Sequence, residues 1–199
     1  MTALPAADAP PRASVMNPVS GRKIDLLTFS AADVCLKDIA HALSLQCRAG
    51  GHFLRFYSVA QHSLNCEAEA AARRLPPRTR LAALLHDAGE AYLSDLIRPV
   101  KVLLPDYQAL ERRIDAAVLA AFGLDDLEDG ERAAVRAIDD AMLHHEFSVL
   151  RHDVEIPVRD ATLKSRPDTD TRDPAAVRGQ FEARCRSLCG ELGIVFAEG

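Results

Sequence analysis

A chain of 199 residues, 48% apolar and 27% charged, has the composition of an ordinary globular protein and buries enough surface to fold without disulfides or a structural metal. Its formal net charge of −5 argues against a nucleic-acid polymer or an anionic membrane as partner, since both need basic surfaces, and no run approaches the ~20 apolar residues of a membrane span. Five cysteines (Cys35, Cys47, Cys66, Cys185, Cys189) form no CxxC pair, and their odd number without a secretory signal fits a reducing cytoplasm.

Residues 1–16, rich in Ala and Pro, read as a disordered N-terminal tail, with one folded domain over 17–199. Leu36, Ile39, Leu43 and Cys47 recur at helical spacing and predict a first helix reaching the Gly50-Gly51 break. Ser58 with Gln61 is a capping-box pattern, so a second helix starts near Val59 and stops before Pro76-Pro77. A third, with Leu81, Leu84 and Leu85, runs into His86-Asp87-Ala88-Gly89-Glu90. Pro99 and Pro105 limit the next segment to a short helical turn plus loop. A fourth helix carries Leu110, Ile114, Ala117, Val118 and Ala121, with Gly123 as its stop. A fifth spans roughly 130 to 150, with Val135, Ile138, Met142 and Val149 on one side. Residues 152–173 read as a long surface loop, and a last helix over 174–192 turns Val177, Phe181, Leu188 and Leu192 inward. Cys185 and Cys189, one turn apart, read as plain helix residues. No segment alternates as a strand does. The fold class is all-α, one compact bundle of about six helices.

Chemistry gathers where the third helix ends. His86 and Asp87 side by side supply an imidazole and a carboxylate, both ligands for a divalent cation, although a capped helix end would look the same. Glu90 follows on the same side of the turn, where it can orient a water or take its proton. His62 lies on the preceding helix, which the Pro-Pro turn folds back to the level of His86; taken alone it also suits a core position. Asp139, next to inward-facing Ile138, is the candidate fourth ligand, because a carboxylate in the buried middle of a helix is costly unless paired with a cation. Asp140 reads as solvated. His41, His52, His144, His145 and His152 match no ligand position.

With these motifs in order, the sequence resembles the HD phosphohydrolases, whose H…HD…D pattern binds a divalent metal. It is most similar to the small bacterial and phage branch of 5′-deoxynucleotidases and dATP triphosphohydrolases. The likeness rests on YSVAQHS at 57–63, LLHDAGEAYLSDLIRPVK at 84–101 and V-R-A-I-D-x-x-x-L-x-x-E at 135–146, and covers roughly residues 17–150. It implies metal ligands at His62, His86, Asp87 and Asp139, a catalytic Glu90, a supporting acid at Asp95 and phosphate contacts from Arg48 and Lys101. An arginine fork suits phosphate oxygens, but by itself Arg48 reads as a surface residue and Lys101 as solvated. Asp95 alone reads as a turn cap. One departure bears on the substrate: relatives that use monophosphates carry a tryptophan after the phosphate-binding arginine, and here that residue is Ala49.

The implied function is hydrolysis of a phosphate ester or anhydride of a deoxynucleotide by one divalent metal ion (Mn, Co, Zn, Mg, Ni or Fe). The products would be a nucleoside with phosphate or triphosphate, and the resemblance also implies a homo-oligomer. Two rival readings are a di-iron HD oxygenase, which needs further histidines that the sequence does not pair, and a non-catalytic HD module, which typically loses the motif residues that all stand here.

Overall fold

Ser58 starts the central helix of the molecule: its side chain accepts a hydrogen bond from the Gln61 backbone N–H at 3.2 Å, which satisfies one of the free donors of α2 (Val59–Ala72). Only that half of the expected capping box forms, because the Gln61 amide instead donates to the carbonyls of Asp168 and Asp170. The computed structural model describes residues 14–151 and 162–198. Of the expected N-terminal tail, residues 1–13 lie outside that range, as do residues 152–161 of the expected loop.

Within it the chain is all-helical apart from one short ribbon. The longer helices are α1 (Leu36–Leu45), α2, α3 (Pro77–Leu85), α6 (Pro105–Ala121), α7 (Asp129–Leu150) and α8 (Pro174–Leu192). Two single-turn helices, α4 (Glu90–Leu93) and α5 (Arg98–Lys101), join α3 to α6. Proline stands in the first turn of α3, α5, α6 and α8, where its missing N–H removes no intrahelical bond.

α2 packs against α1, α3, α7 and α8, which explains why most of its residues are buried, polar ones included. Glu67 is satisfied by Arg80 of α3 at 2.7 Å and by Arg184 of α8 at 3.4 Å. Asn65 and Glu69 turn the other way and bind the backbone of Asp168, Lys164 and Ser165, which fixes the described part of the 162–173 connection along α2. The main core lies between these helices, with Ile39, Leu43, Leu84, Ile114, Phe181 and Leu188 fully buried; Cys185 and Cys189 share it.

Three expectations need correction. The tail assigned to residues 1–16 ends too late, because β1 (Val15–Met16) pairs antiparallel with β2 (Ile24–Asp25), burying Ile24. That ribbon also overturns the expectation of no sheet; at two residues per strand it is too short to show alternation. Finally, α1 stops at Leu45 instead of reaching Gly50, because Gln46 turns extended and Cys47 bridges to Ser58. The backbone bonds Val59 N–H to Gln46 and Arg48 N–H to Tyr57 hold this bridge at 3.1 and 2.9 Å. A left-handed turn through Ala49, Gly50 and Gly51 follows, which glycine adopts at little steric cost. The result is an Arg48 that is 9% exposed.

Candidate metal centre

Four chain segments meet at the N-terminal turn of α2. α2 supplies His62, fully buried. The turn after α3 supplies His86 and Asp87. α7 supplies Asp139 and Glu146, seven residues apart and so on one face two turns distant. The bridge after α1 brings Arg48.

The hydrogen bonds fix which imidazole nitrogens point inward. His86 Nδ1 donates to the Ala83 carbonyl at 2.8 Å, and a carbonyl can only accept. His62 Nδ1 donates at 2.7 Å to Glu146, which also accepts from Tyr57 Oη at 2.8 Å and Arg48 Nε at 3.2 Å. Burial would raise the Glu146 pKa, but His62 and Arg48 outweigh it and keep the group a carboxylate. Both Nδ1 protons are therefore used outward, and two Nε2 atoms face each other at 3.2 Å. In neutral rings these are two lone pairs, which only a cation or added protons can reconcile.

The surrounding oxygens fit a cation. His62 Nε2 lies 3.2 Å from Asp139 Oδ1 and 3.6 Å from Asp87 Oδ2; His86 Nε2 lies 3.3 Å from Asp87 and 3.6 Å from Asp139. With metal–ligand bonds of about 2.0 to 2.2 Å, adjacent ligands of a tetrahedral or octahedral ion stand about 3 to 3.6 Å apart, so these spacings are the edges of such a polyhedron. Charge agrees. Three carboxylates (Asp87, Asp139, Glu146) against one guanidinium, whose Nη atoms sit 3.0 Å from Asp87 and 3.2 Å from Asp139, leave two negative charges, the match for one divalent ion.

Without an ion the imbalance appears in the proton affinities. Burial favours neutral forms at Asp87 and Asp139, yet His86 and His62, with Arg48 beside Asp87, hold both carboxyls well below their usual range. Burial and Arg48 oppose a charge on His62, but Cys66, Glu146 and Asp139 raise its pKa well above the ordinary value. His86 is raised likewise, chiefly by Asp87 and Asp139 against the effect of burial.

The site opens into a cavity of about 520 Å³, lined by Arg48, Asp87, Glu90, Asp95, Lys101 and Asp139 on its polar side and by Leu96, Ile97, Leu143 and Phe147 on its apolar side. Glu90 is 7% exposed; Lys101 Nζ lies 3.3 Å from its Oε1, while Oε2 has no partner among the described residues. Burial and the nearby Asp87 and Asp95 carboxylates push the Glu90 pKa well up. Asp95 is raised by burial first, and its Oδ2 has no partner among the described residues. Lys101 is anchored by Glu111 at 2.6 Å, so it is not the solvated lysine its sequence context suggests. Arg48 is likewise no surface residue.

The chain is 39% identical over 189 residues to the uncharacterized protein RCAP_rcc00048 of Rhodobacter capsulatus, a match covering 86% of this chain and 96% of that protein. It belongs to that protein's family. A second relative, the uncharacterized protein YfdR of Escherichia coli, is 40% identical over 111 residues, 56% of this chain; the chain spans only 60% of that relative's length. No family model matches the chain.

The structure thus brings together all eight residues singled out by sequence: His62, His86, Asp87, Asp139, Arg48, Glu90, Asp95 and Lys101. Asp140 faces out, 3.8 Å from Arg98 with half its side chain exposed. Sequence reasoning missed four others. Glu146 stood in a quoted motif without a role, although its spacing from Asp139 puts it on the same face. Tyr57 and Asn65, linked at 2.8 Å, support it. Cys66 was missed although it follows His62 by one helical turn; His62, Cys66 and His86 place ligand atoms within 4.8 Å of one another and could hold a metal ion. His52, expected to be structural or solvent-facing, lines the cavity.

Proposed function

We propose that this chain is a divalent-metal-dependent phosphohydrolase of the HD type, acting on a small deoxynucleotide. The observation that carries the reading is the pair of inward His62 and His86 Nε2 atoms, 3.2 Å apart, flanked by Asp87 and Asp139 at the floor of a cavity that also presents Arg48 and Lys101. In this reading His62, His86, Asp87 and Asp139 hold the ion. A bound divalent ion supplies Lewis acidity that polarises a phosphoryl oxygen and makes water a better nucleophile near neutral pH.

The remaining chemistry belongs to the chain's own side chains. Glu90, tied to Lys101 through one oxygen, offers the other to a water in the cavity, to align it or accept its proton. Asp95 supports that proton exchange from the same wall. Arg48 and Lys101 offset the negative charge that accumulates on the phosphoryl group. The apolar wall of Leu96, Ile97, Leu143 and Phe147 suits a base, and the cavity's size is that of a small-molecule site. Ala49 lines the same cavity, at the position where monophosphate-using enzymes of the resembled type carry a tryptophan, and on that departure the proposed substrate is a triphosphate.

A panel of deoxynucleoside mono- and triphosphates and their ribose counterparts, each with Mn²⁺, Co²⁺, Mg²⁺ or Zn²⁺, tests the proposal by release of phosphate or triphosphate. Selective turnover of a deoxynucleotide is expected; a metal-loaded protein that turns over none of them would overturn it. Asp87→Ala should lose metal and activity together. Glu90→Gln should keep the metal while kcat falls by about 10²-fold. An unchanged rate in that variant would remove Glu90 from the reaction.

A further inference from the structure

Among the described residues, three arginine and lysine side chains line the cavity, and they differ in what already holds them. Arg48 is 10% exposed and is engaged by Asp87, Asp139 and Glu146. Lys101, 23% exposed, is shared between Glu111 and Glu90. Even with a divalent ion in place, the carboxylates around these two leave no surplus of positive charge. Arg98 is different. Its side chain is 72% exposed, and among the described residues the guanidinium meets only Asp140, at 3.8 Å, beyond hydrogen-bond distance. The rise in exposure from Arg48 to Arg98 runs from the floor of the cavity to its mouth.

The backbone that presents Arg98 is nevertheless fixed. Arg98 and Lys101 stand three residues apart on the single turn of α5, which puts both on one side of it. The Val100 and Lys101 N–H groups donate to the Ile97 carbonyl at 2.8 and 3.1 Å. Ile97 in turn lies so close to Gly50, in the turn after Arg48, that a Cβ there would stand 3.3 Å from its Cγ2. The segment is held in place while the guanidinium keeps its fork of donors free.

From this arrangement we propose that Arg98 is a specificity-determining residue that binds the distal phosphates of a triphosphate at the cavity mouth. The β- and γ-phosphates bring negative charge that the balanced floor does not attract, and a guanidinium takes phosphate oxygens through paired donors. Asp140 competes for the same guanidinium and so sets how strongly a triphosphate is preferred. The inference rests on the cavity being the nucleotide site, as proposed above, and assigns its preference for a triphosphate to a residue.

Calorimetric titration of the Mg²⁺-loaded full chain with Mg²⁺-saturated inorganic tripolyphosphate and, separately, with orthophosphate tests it, because neither probe carries a base or needs turnover. The wild type should bind tripolyphosphate at least about tenfold more tightly than orthophosphate. Arg98→Gln, at an exposed position where substitution leaves the fold intact, should weaken tripolyphosphate by about tenfold and orthophosphate by less than about twofold. Asp140→Asn should tighten tripolyphosphate by about threefold, and only while Arg98 is present. No change in Asp140→Asn overturns the competition. A wild type that binds both probes alike, or an Arg98→Gln chain that loses neither or loses both equally, overturns the role of Arg98; turnover of deoxynucleotides in that same chain leaves the hydrolase reading standing. Tripolyphosphate binding that depends on Arg98 in a chain that hydrolyses no nucleotide supports the polyphosphate contact and overturns the hydrolase reading instead.

Discussion

Glu146 shows how much of the site depends on a residue that touches no cavity wall. Fully buried, it accepts from His62 Nδ1, Tyr57 Oη and Arg48 Nε, and so fixes both the ring that points Nε2 inward and the guanidinium that lies across Asp87 and Asp139. Replacing it by Gln puts an amide N–H₂ among three donors. Glu146→Gln should keep a native far-ultraviolet circular dichroism spectrum while metal affinity falls by about 10- to 100-fold in a metal titration. Unchanged affinity would show that His62 is positioned by packing alone. At this scale the sequence named ligand-type residues well, since His86-Asp87 and Asp139 stand beside inward-facing apolar positions. It placed Glu146 on the face of Asp139 by spacing but gave it no role, because an acid on a helix reads as solvated until its donors, distant in sequence, arrive.

Among the elements, the turn from α3 into α4 carries the tightest constraint. Gly89 sits with its α-carbon against the Asp115 carboxylate of α6, so any Cβ there would run into Asp115 Oδ1. Burial, with Glu111 and Asp87 nearby, pushes the Asp115 carboxyl up to about 7. Gly89→Ala should therefore destabilise the protein by about 1 to 3 kcal/mol in urea unfolding, the usual range for overpacking. Because Asp87 and Glu90 flank the glycine, metal affinity should fall as well. A stability within about 0.5 kcal/mol of wild type would mean that α6 yields at no cost. Helix positions followed from periodicity, and the starts of α2 and α8 from Ser58 and Pro174. The end of α1 did not. Leu43 and Cys47 keep the helical spacing, yet the backbone bridge to Ser58 overrides local propensity, and that bridge forms only once α2 is in place.

For the molecule as a whole, Glu69 ties the 162–173 connection to the central helix. It accepts from the Lys164 and Ser165 backbone N–H groups at 3.0 and 2.7 Å and from Arg73 Nε at 2.7 Å. Burial would raise its pKa, but Arg73 and these N–H groups outweigh it, so the folded value lies below the ordinary 4.5. A depressed folded pKa stabilises the protein above the unfolded value, and that stabilisation is lost as pH falls through the folded one. Glu69→Gln should then cost about 1 to 3 kcal/mol near neutral pH, with the difference from wild type shrinking below about pH 4.5. Denaturant titrations at several pH values measure this, and a gap independent of pH would place the effect in packing instead. At this scale the sequence by itself determined the all-helical class, the six longer helices and the residue types that line the site. Helical periodicity, caps and prolines are local signals, written within a few turns of chain. Only the tertiary structure decided which nitrogens point inward, that Arg48 and Lys101 are held by carboxylates and that Glu146 orients His62 and Arg48. Each of those facts depends on partners tens of residues apart, whose distances and desolvation exist only after the helices pack.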